Sequence, residues 1–222
     1  MEELPIINIS ELSPLTCDLD TIFEQDNTKI LAQSFFDALS SFGFLYLTGH
    51  GISEATVEDA FQAMRDFFDP KNRDIHIKHY RRRGVYVGYM DCLNEPGNHK
   101  EGNPVDLKQA YDLTLNSTEF SVIPDEQKPP LRKLYRNFER LSQFMMRFLA
   151  LSLGHDIDYF LRGHQKMGDI EKNSATMRLN YYKGIGAGMT EEETRLSEHT
   201  DYGTFTLLVQ DQTGGLQVHV FL

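Results

Sequence analysis

Apolar positions along the chain follow a helical period first and an extended one later. Leu31, Phe35, Ala38, Leu39 and Phe42 recur at helical spacing, which predicts a helix over about 26–42 with Gly43 as its C-terminal cap. Ser53 is a suitable N-cap for a second helix whose face carries Val57, Phe61, Met64 and Phe68 and which ends at Pro70. A long helix is predicted over about 130–152. It carries Leu131, Leu134, Phe138, Leu141, Met145, Phe148 and Leu149 on one stripe, and Gly154 follows it. Residues 158–162 add a helical turn.

Extended segments have a different signature. Residues 4–9 read as a short strand with Pro5 at its edge, and Phe44-Leu45-Tyr46-Leu47 as a buried strand. From about Ser174 the period becomes two. Met177, Leu179 and Tyr181 alternate with Arg178, Asn180 and Tyr182, so the last three project from one face. Residues 203–210 and 216–222 are predicted as further strands, separated by a turn over 211–215. Residues 71–125 are expected to be irregular, Arg81-Arg82-Arg83 to be a solvated loop, and Glu191-Glu192-Glu193 an exposed acidic one. Helices followed by short strands predict an α+β chain with an antiparallel barrel or sandwich at its C-terminal end.

Charge narrows the function classes. The chain has 222 residues, 22 basic against 33 acidic, a net charge of −11 and a pI near 5.1. An acidic whole argues against binding nucleic acid or an anionic membrane through a positive field. Cys17 and Cys92 form no C-x-x-C pair and no disulfide framework. The start lacks a signal-peptide pattern, and the most apolar window, Phe144 to Leu153, contains Arg147. The expectation is a soluble, cytoplasmic protein.

Candidate chemistry lies late in the chain. In His199-Thr200-Asp201 an imidazole and a carboxylate two positions apart on extended backbone point the same way. That is two-thirds of the 2-His-1-carboxylate triad that binds Fe(II) on one face. Taken alone, the pair equally fits a strand-end His and Asp bonded to turn amides. His50 is read as a turn residue. His76, His79, His99, His155 and His164 are expected in solvent or capping roles, and His219 as a strand residue outside any ligand set.

Seven ordered segments change the weighting. They are Leu4 to Ser10, Gly43-Phe44-Leu45-Tyr46-Leu47-Thr48-Gly49-His50-Gly51-Ile52, Ala63 to Phe68, and Asp106-Leu107-Lys108-Gln109-Ala110-Tyr111. The others are Met177-Arg178-Leu179-Asn180-Tyr181-Tyr182, His199 to Leu208, and Gly214 to Val218. Together they resemble the iron(II)/2-oxoglutarate-dependent dioxygenases of the isopenicillin N synthase-like type. Gly49 stands where the family usually has Asn, and Lys183 where it has Pro.

The resemblance implies an N-terminal helical and strand cap (1–125), support helices (126–172) and a partial jelly roll (173–222), packed as a cap on a double-stranded β-helix. His199 and Asp201 match the catalytic iron ligands. Asn180 and Tyr182 match contacts to the co-substrate 2-oxoglutarate, and Arg178 is placed to reach substrate. Relatives couple decarboxylation of 2-oxoglutarate to succinate with hydroxylation, desaturation or cyclisation of a small molecule, using O2.

The family also has a distal His and an Arg-x-Ser, which do not follow Asp201 here. About half the barrel is therefore expected to be missing, from a fragment or truncated isoform that binds iron weakly. The alternative is an inactive product with a binding or regulatory role, self-associating through open strand edges. A zinc hydrolase is disfavoured because neither H-x-H-x-D nor H-E-x-x-H occurs.

Overall fold

A computed structural model of the chain describes residues 3–81, 87–91, 105–114, 120, 123–167, 176–182, 184 and 193–218. It divides into two compact units. One comprises Met1–Glu58, Lys133–Gln165 and Leu207–Leu222; the other comprises Asp59–Arg132 and Lys166–Thr206.

In the first unit, β1 (Ile6–Asn8), α1 (Leu19–Ile22), α2 (Asp26–Phe42) and β2 (Tyr46–Thr48) precede α3 (Glu54–Phe67). Strands β1 and β2 pair in parallel, Ile6 opposite Tyr46 and Asn8 opposite Thr48. The predicted strand before Gly49 is thus present but starts two residues later and ends one later, and it is not buried. Phe44, Tyr46 and Ile6 are exposed, because a two-stranded ladder covers only one of its faces.

The turn after β2 explains Gly49. Its φ is +70°, and a Cβ there would lie 2.5 Å from Ser10 N and 2.6 Å from Asn8 Oδ1. Asn8 Oδ1 already accepts the Ser10 N–H at 2.9 Å. An Asn tolerates that backbone angle, but its Cβ does not fit against this neighbour.

Helix α2 ends at Gly43 as predicted. It buries Ala32, Phe35 and Ala38, and the Phe35 ring lies 5.5 Å from that of Phe148 on α5 (Lys128–Ser152). Phe23 packs against Phe144 at 5.3 Å. The predicted stripe of α5 is core: Leu134, Leu141, Phe144, Met145 and Phe148 are buried in this unit, with Phe138 and Leu149 half-buried. Arg140 reaches back from α5 to cap two backbone carbonyls, donating from Nε to Pro14 O and from Nη2 to Cys17 O. A short helix α6 (Tyr159–Gly163) follows.

The second unit holds most of what the sequence pattern did not predict. Helix α3 starts in the first unit, where Ser53 caps it, its Oγ accepting the Thr56 N–H, and runs on into the second. The buried stripe, however, is Ala60, Ala63, Phe67 and Phe68, while Val57, Phe61 and Met64 are only half-buried. Small residues let the helix sit close to its neighbours, so the face is rotated from the bulky positions. Residues 71–125 are not irregular throughout. Helix α4 (Arg73–Lys78) is followed by β3 (Gly88–Asp91), β4 (Val105–Asp106) and β5 (Lys108–Leu113).

Strands β3, β5 and β6 (Met177–Tyr182) form an antiparallel sheet in that order. Residues Glu193–Thr194 (β7) pair in parallel with β4, while Glu191 and Glu192 of the expected acidic loop lie outside the described residues. One face of the sheet is covered by an aromatic cluster. Phe67 lies 4.8 Å from Tyr111 and 4.6 Å from His76, Phe68 stacks on Tyr181, and His76 stacks on Tyr89. Leu113 and Leu179 are fully buried.

The strands predicted over 203–210 and 216–222 are not seen among the described residues. Residues 203–218 make no ladder, and Leu208, Val209 and Leu216 are exposed. Alternating apolar residues favour a strand, but a strand exists only where another backbone satisfies its N–H and C=O groups. Residues 219–222, including His219, lie outside the described residues, as do Arg82, Arg83, Cys92 and His99. No helix among the described residues is long and apolar enough to cross a membrane.

Candidate functional site

Strand β6 displays its side chains as the alternation predicts. Leu179 points into the core, while Arg178, Asn180 and Tyr182 stand on the opposite, more open face. Antiparallel pairing with β5 sets Asp112 opposite Arg178, Ala110 opposite Asn180 and Lys108 opposite Tyr182. Directly opposed residues share a face, so this surface is built from two strands at once.

Its most organised element is a cluster of charges. Asp112, only 2% exposed, accepts Arg178 Nε at Oδ1 (2.7 Å) and Nη2 at Oδ2 (2.9 Å). Arg81 Nη1 donates to the same Oδ2 at 3.1 Å and contacts Met90 Sδ at 3.3 Å. Arg81 is therefore an ion-pair member, not the solvated loop residue its triplet implied. The backbone brings it there: Tyr89 N–H donates to His79 O and Arg81 N–H to Tyr89 O. Gly88 permits the approach, since a Cβ there would meet His79 O at 2.8 Å.

His199 and Asp201 lie on an unladdered segment of the same unit. Their side chains do turn the same way: His199 Nε2 is 3.3 Å from Asp201 Oδ1, each side chain about half exposed. His199 Nδ1 is 2.9 Å from Ser197 O. An Nδ1–H donated there would leave Nε2 as the free lone pair on the side facing Asp201. Among the described residues no cluster of three or more His, Cys, Asp or Glu is arranged to hold a metal.

Among the described residues, other histidines make structural contacts. His50 Nδ1 accepts the Ile52 N–H, as its turn position predicts. His164 Nδ1 lies 2.7 Å from Phe160 O. His76 departs from the expected solvent or capping role: it is buried between Phe67 and Tyr89, and burial holds its pKa below the ordinary value.

Asp112 is the site residue the sequence reading missed. The motif Asp106 to Tyr111 stops one residue short of it. The signal was present in the alternation of Lys108, Ala110 and Asp112, but charged residues at both ends hid the strand.

Comparison with known proteins decides the family. Residues 4–143 match the model of the non-haem dioxygenase in morphine synthesis N-terminal family. A 2-oxoglutarate-dependent dioxygenase, frbA of Dothideomycetidae sp. (strain 11243), is 30% identical over 200 residues, covering 81% of this chain and 57% of the relative. The chain belongs to the 2-oxoglutarate-dependent dioxygenase family.

Gibberellin 20 oxidase 2 of Arabidopsis thaliana, another relative, is 29% identical, covering 99% of the chain and 57% of the oxidase. Among solved structures, a full-length Neurospora crassa protein crystallised in complex with alpha-KG is similar with a TM-score of 0.62 at 21% identity. The match covers 90% of the chain and 61% of the Neurospora protein. A 2OG-Fe(II) oxygenase family protein from Caulobacter crescentus gives a TM-score of 0.60 at 16% identity, covering 83% and 58%. These likenesses show the fold, an α+β chain of the 2OG-Fe(II) oxygenase kind. The chain spans less than two-thirds of the length of each of these four proteins.

Proposed function

We propose that the protein is a non-haem iron(II), 2-oxoglutarate-dependent oxygenase that oxidises a small molecule with O2, by hydroxylation, desaturation or cyclisation. The observation that carries this reading is the His199–Asp201 pair, turned to one side at 3.3 Å, in a chain whose residues 4–143 match the dioxygenase family. An imidazole nitrogen and a carboxylate oxygen are the right donors for Fe(II), and they fit two corners of the facial triad. Bound Fe(II) with 2-oxoglutarate would supply the activation of O2.

The chain's own residues have separable tasks in this reading. His199 and Asp201 hold the metal. Asn180 and Tyr182, side by side on the open face of β6, hold 2-oxoglutarate by hydrogen bonds. Arg178, on the same face, offers a fixed donor toward the substrate. Strand β6 is then an early strand of the jelly roll, with the aromatic cluster beneath it keeping water from its inner face.

One observation favours a second reading, a non-catalytic binding or regulatory protein. Residues 203–218 expose Leu208, Val209 and Leu216 without a ladder partner among the described residues. Such a segment can pair with another chain. Succinate formation from 2-oxoglutarate by the full natural protein, in the presence of Fe(II) and O2, separates the two. The oxygenase reading expects turnover that Asp201→Ala abolishes. No succinate from a folded protein would favour the second reading.

A further inference from the structure

The oxygenase reading gives no task to Asp112. Yet it is the most heavily engaged carboxylate on the site face. It is buried in β5, it takes two parallel hydrogen bonds from Arg178, and it takes a third from Arg81. A buried carboxylate is costly to desolvate and persists where its partners are well placed. The bidentate arrangement also fixes direction, because the planar guanidinium and the carboxylate must lie in register.

The pair also crosses the ladder. Asp112 and Arg178 are direct partners between β5 and β6, two pairs along the ladder from Ala110–Asn180 and four from Lys108–Tyr182, the pairs that share its face. In the three-stranded sheet β6 has β5 as its neighbour. A side-chain clamp at Arg178 therefore sets the rotamer of that residue. It also restrains the twist of the strand that presents Asn180 and Tyr182.

We propose that Asp112 is a positioning residue for co-substrate binding: by clamping Arg178, with Arg81 as second anchor, it holds the Asn180–Tyr182 face in the geometry that receives 2-oxoglutarate. The inference rests on the oxygenase reading for the identity of the ligand. Asp112 itself touches Arg178 and Arg81 and acts through them.

The test is 2-oxoglutarate affinity, measured by calorimetry on the full natural protein loaded with Mn(II) in place of Fe(II), so that nothing turns over. Asp112→Asn, which keeps shape and loses charge, is expected to weaken binding about tenfold, the low end for loss of an outer-sphere partner. Asp112→Glu, which keeps the carboxylate, should recover part of that loss. Arg178→Gln should weaken binding to a similar degree. The double variant Asp112→Asn/Arg178→Gln should be no worse than the weaker single, because both act through one contact. Thermal midpoints measured in parallel report folding separately.

Unchanged affinity in Asp112→Asn with a lowered midpoint would overturn the proposal and leave the pair a structural strut. Fully additive losses in the double variant would also overturn it. If the unmodified protein bound no 2-oxoglutarate, the oxygenase reading would fail first and the proposal with it. That outcome is distinct from equal binding by unmodified and Asp112→Asn proteins, which sinks the proposal alone.

Discussion

His76 Nε2 lies 2.7 Å from the carbonyl oxygen of Phe67, and the ring is buried against Phe67 and Tyr89. A carbonyl only accepts, so Nε2 carries the proton and the neutral ring is the Nε2–H tautomer. Burial lowers the pKa of this histidine, and the bond to Phe67 opposes that shift only in part. Its ring neighbours Phe67, Phe68 and Tyr89 carry no charge near neutral pH.

The sign of the pH effect follows. In the unfolded chain His76 takes up a proton near pH 6.5; in the folded chain it does so only at lower pH. Its contribution to stability is complete above about pH 6.5 and falls as the pH drops from there toward the folded pKa. Denaturant unfolding at pH 7.5 and 5.5 should show a larger acid loss for the unmodified protein than for His76→Phe. Equal losses would show that His76 is not held neutral by the fold.

Arg140 joins α5 to two carbonyls more than 120 residues earlier in the chain. Arg140→Met keeps most of the stem and removes the donors. The expected loss is about 1–3 kcal/mol, the cost of leaving part-buried acceptors unmet. Urea midpoints for the two proteins check this, and an unchanged midpoint would place the arginine in solvent.

Gly49 is expected to resist substitution even by alanine. Its positive φ alone disfavours a Cβ by about 1–2 kcal/mol, and the approach of Ser10 N adds to that. Gly49→Ala should unfold at lower denaturant than the unmodified protein. Gly43→Ala, where a Cβ would meet nothing within 4 Å, should cost less despite a similar φ of +71°.

Much of the fold was legible because long helices and alternating strands repeat a signal. The core stripe of α5, the Gly43 cap and the two faces of β6 could all be read from spacing. Strand β5 could not, because the face it shares with Arg178, Asn180 and Tyr182 carries Lys108 and Asp112; the burial of Asp112 is made tolerable by its tertiary partners Arg178 and Arg81. The residues over 203–218 failed in the opposite sense: their alternation is strand-like, but pairing is a property of two segments and not one.

The site was legible to a similar depth. Arg178, Asn180 and Tyr182 share a face by alternation, and His199 Nε2 and Asp201 Oδ1 lie 3.3 Å apart, as two residues two positions apart were expected to turn one way. Asp112 was hidden because an ion pair spanning 66 residues leaves no local pattern.

The central claim is that His199 and Asp201 hold an iron to which 2-oxoglutarate binds. The most direct measurement is an anaerobic titration of the full natural protein with Fe(II) and 2-oxoglutarate, following the visible absorption of the ferrous chelate. The account predicts a saturable band that is lost in His199→Ala and Asp201→Ala and retained in His50→Gln. A band of unchanged intensity in both ligand variants, or none in the folded unmodified protein, would contradict it.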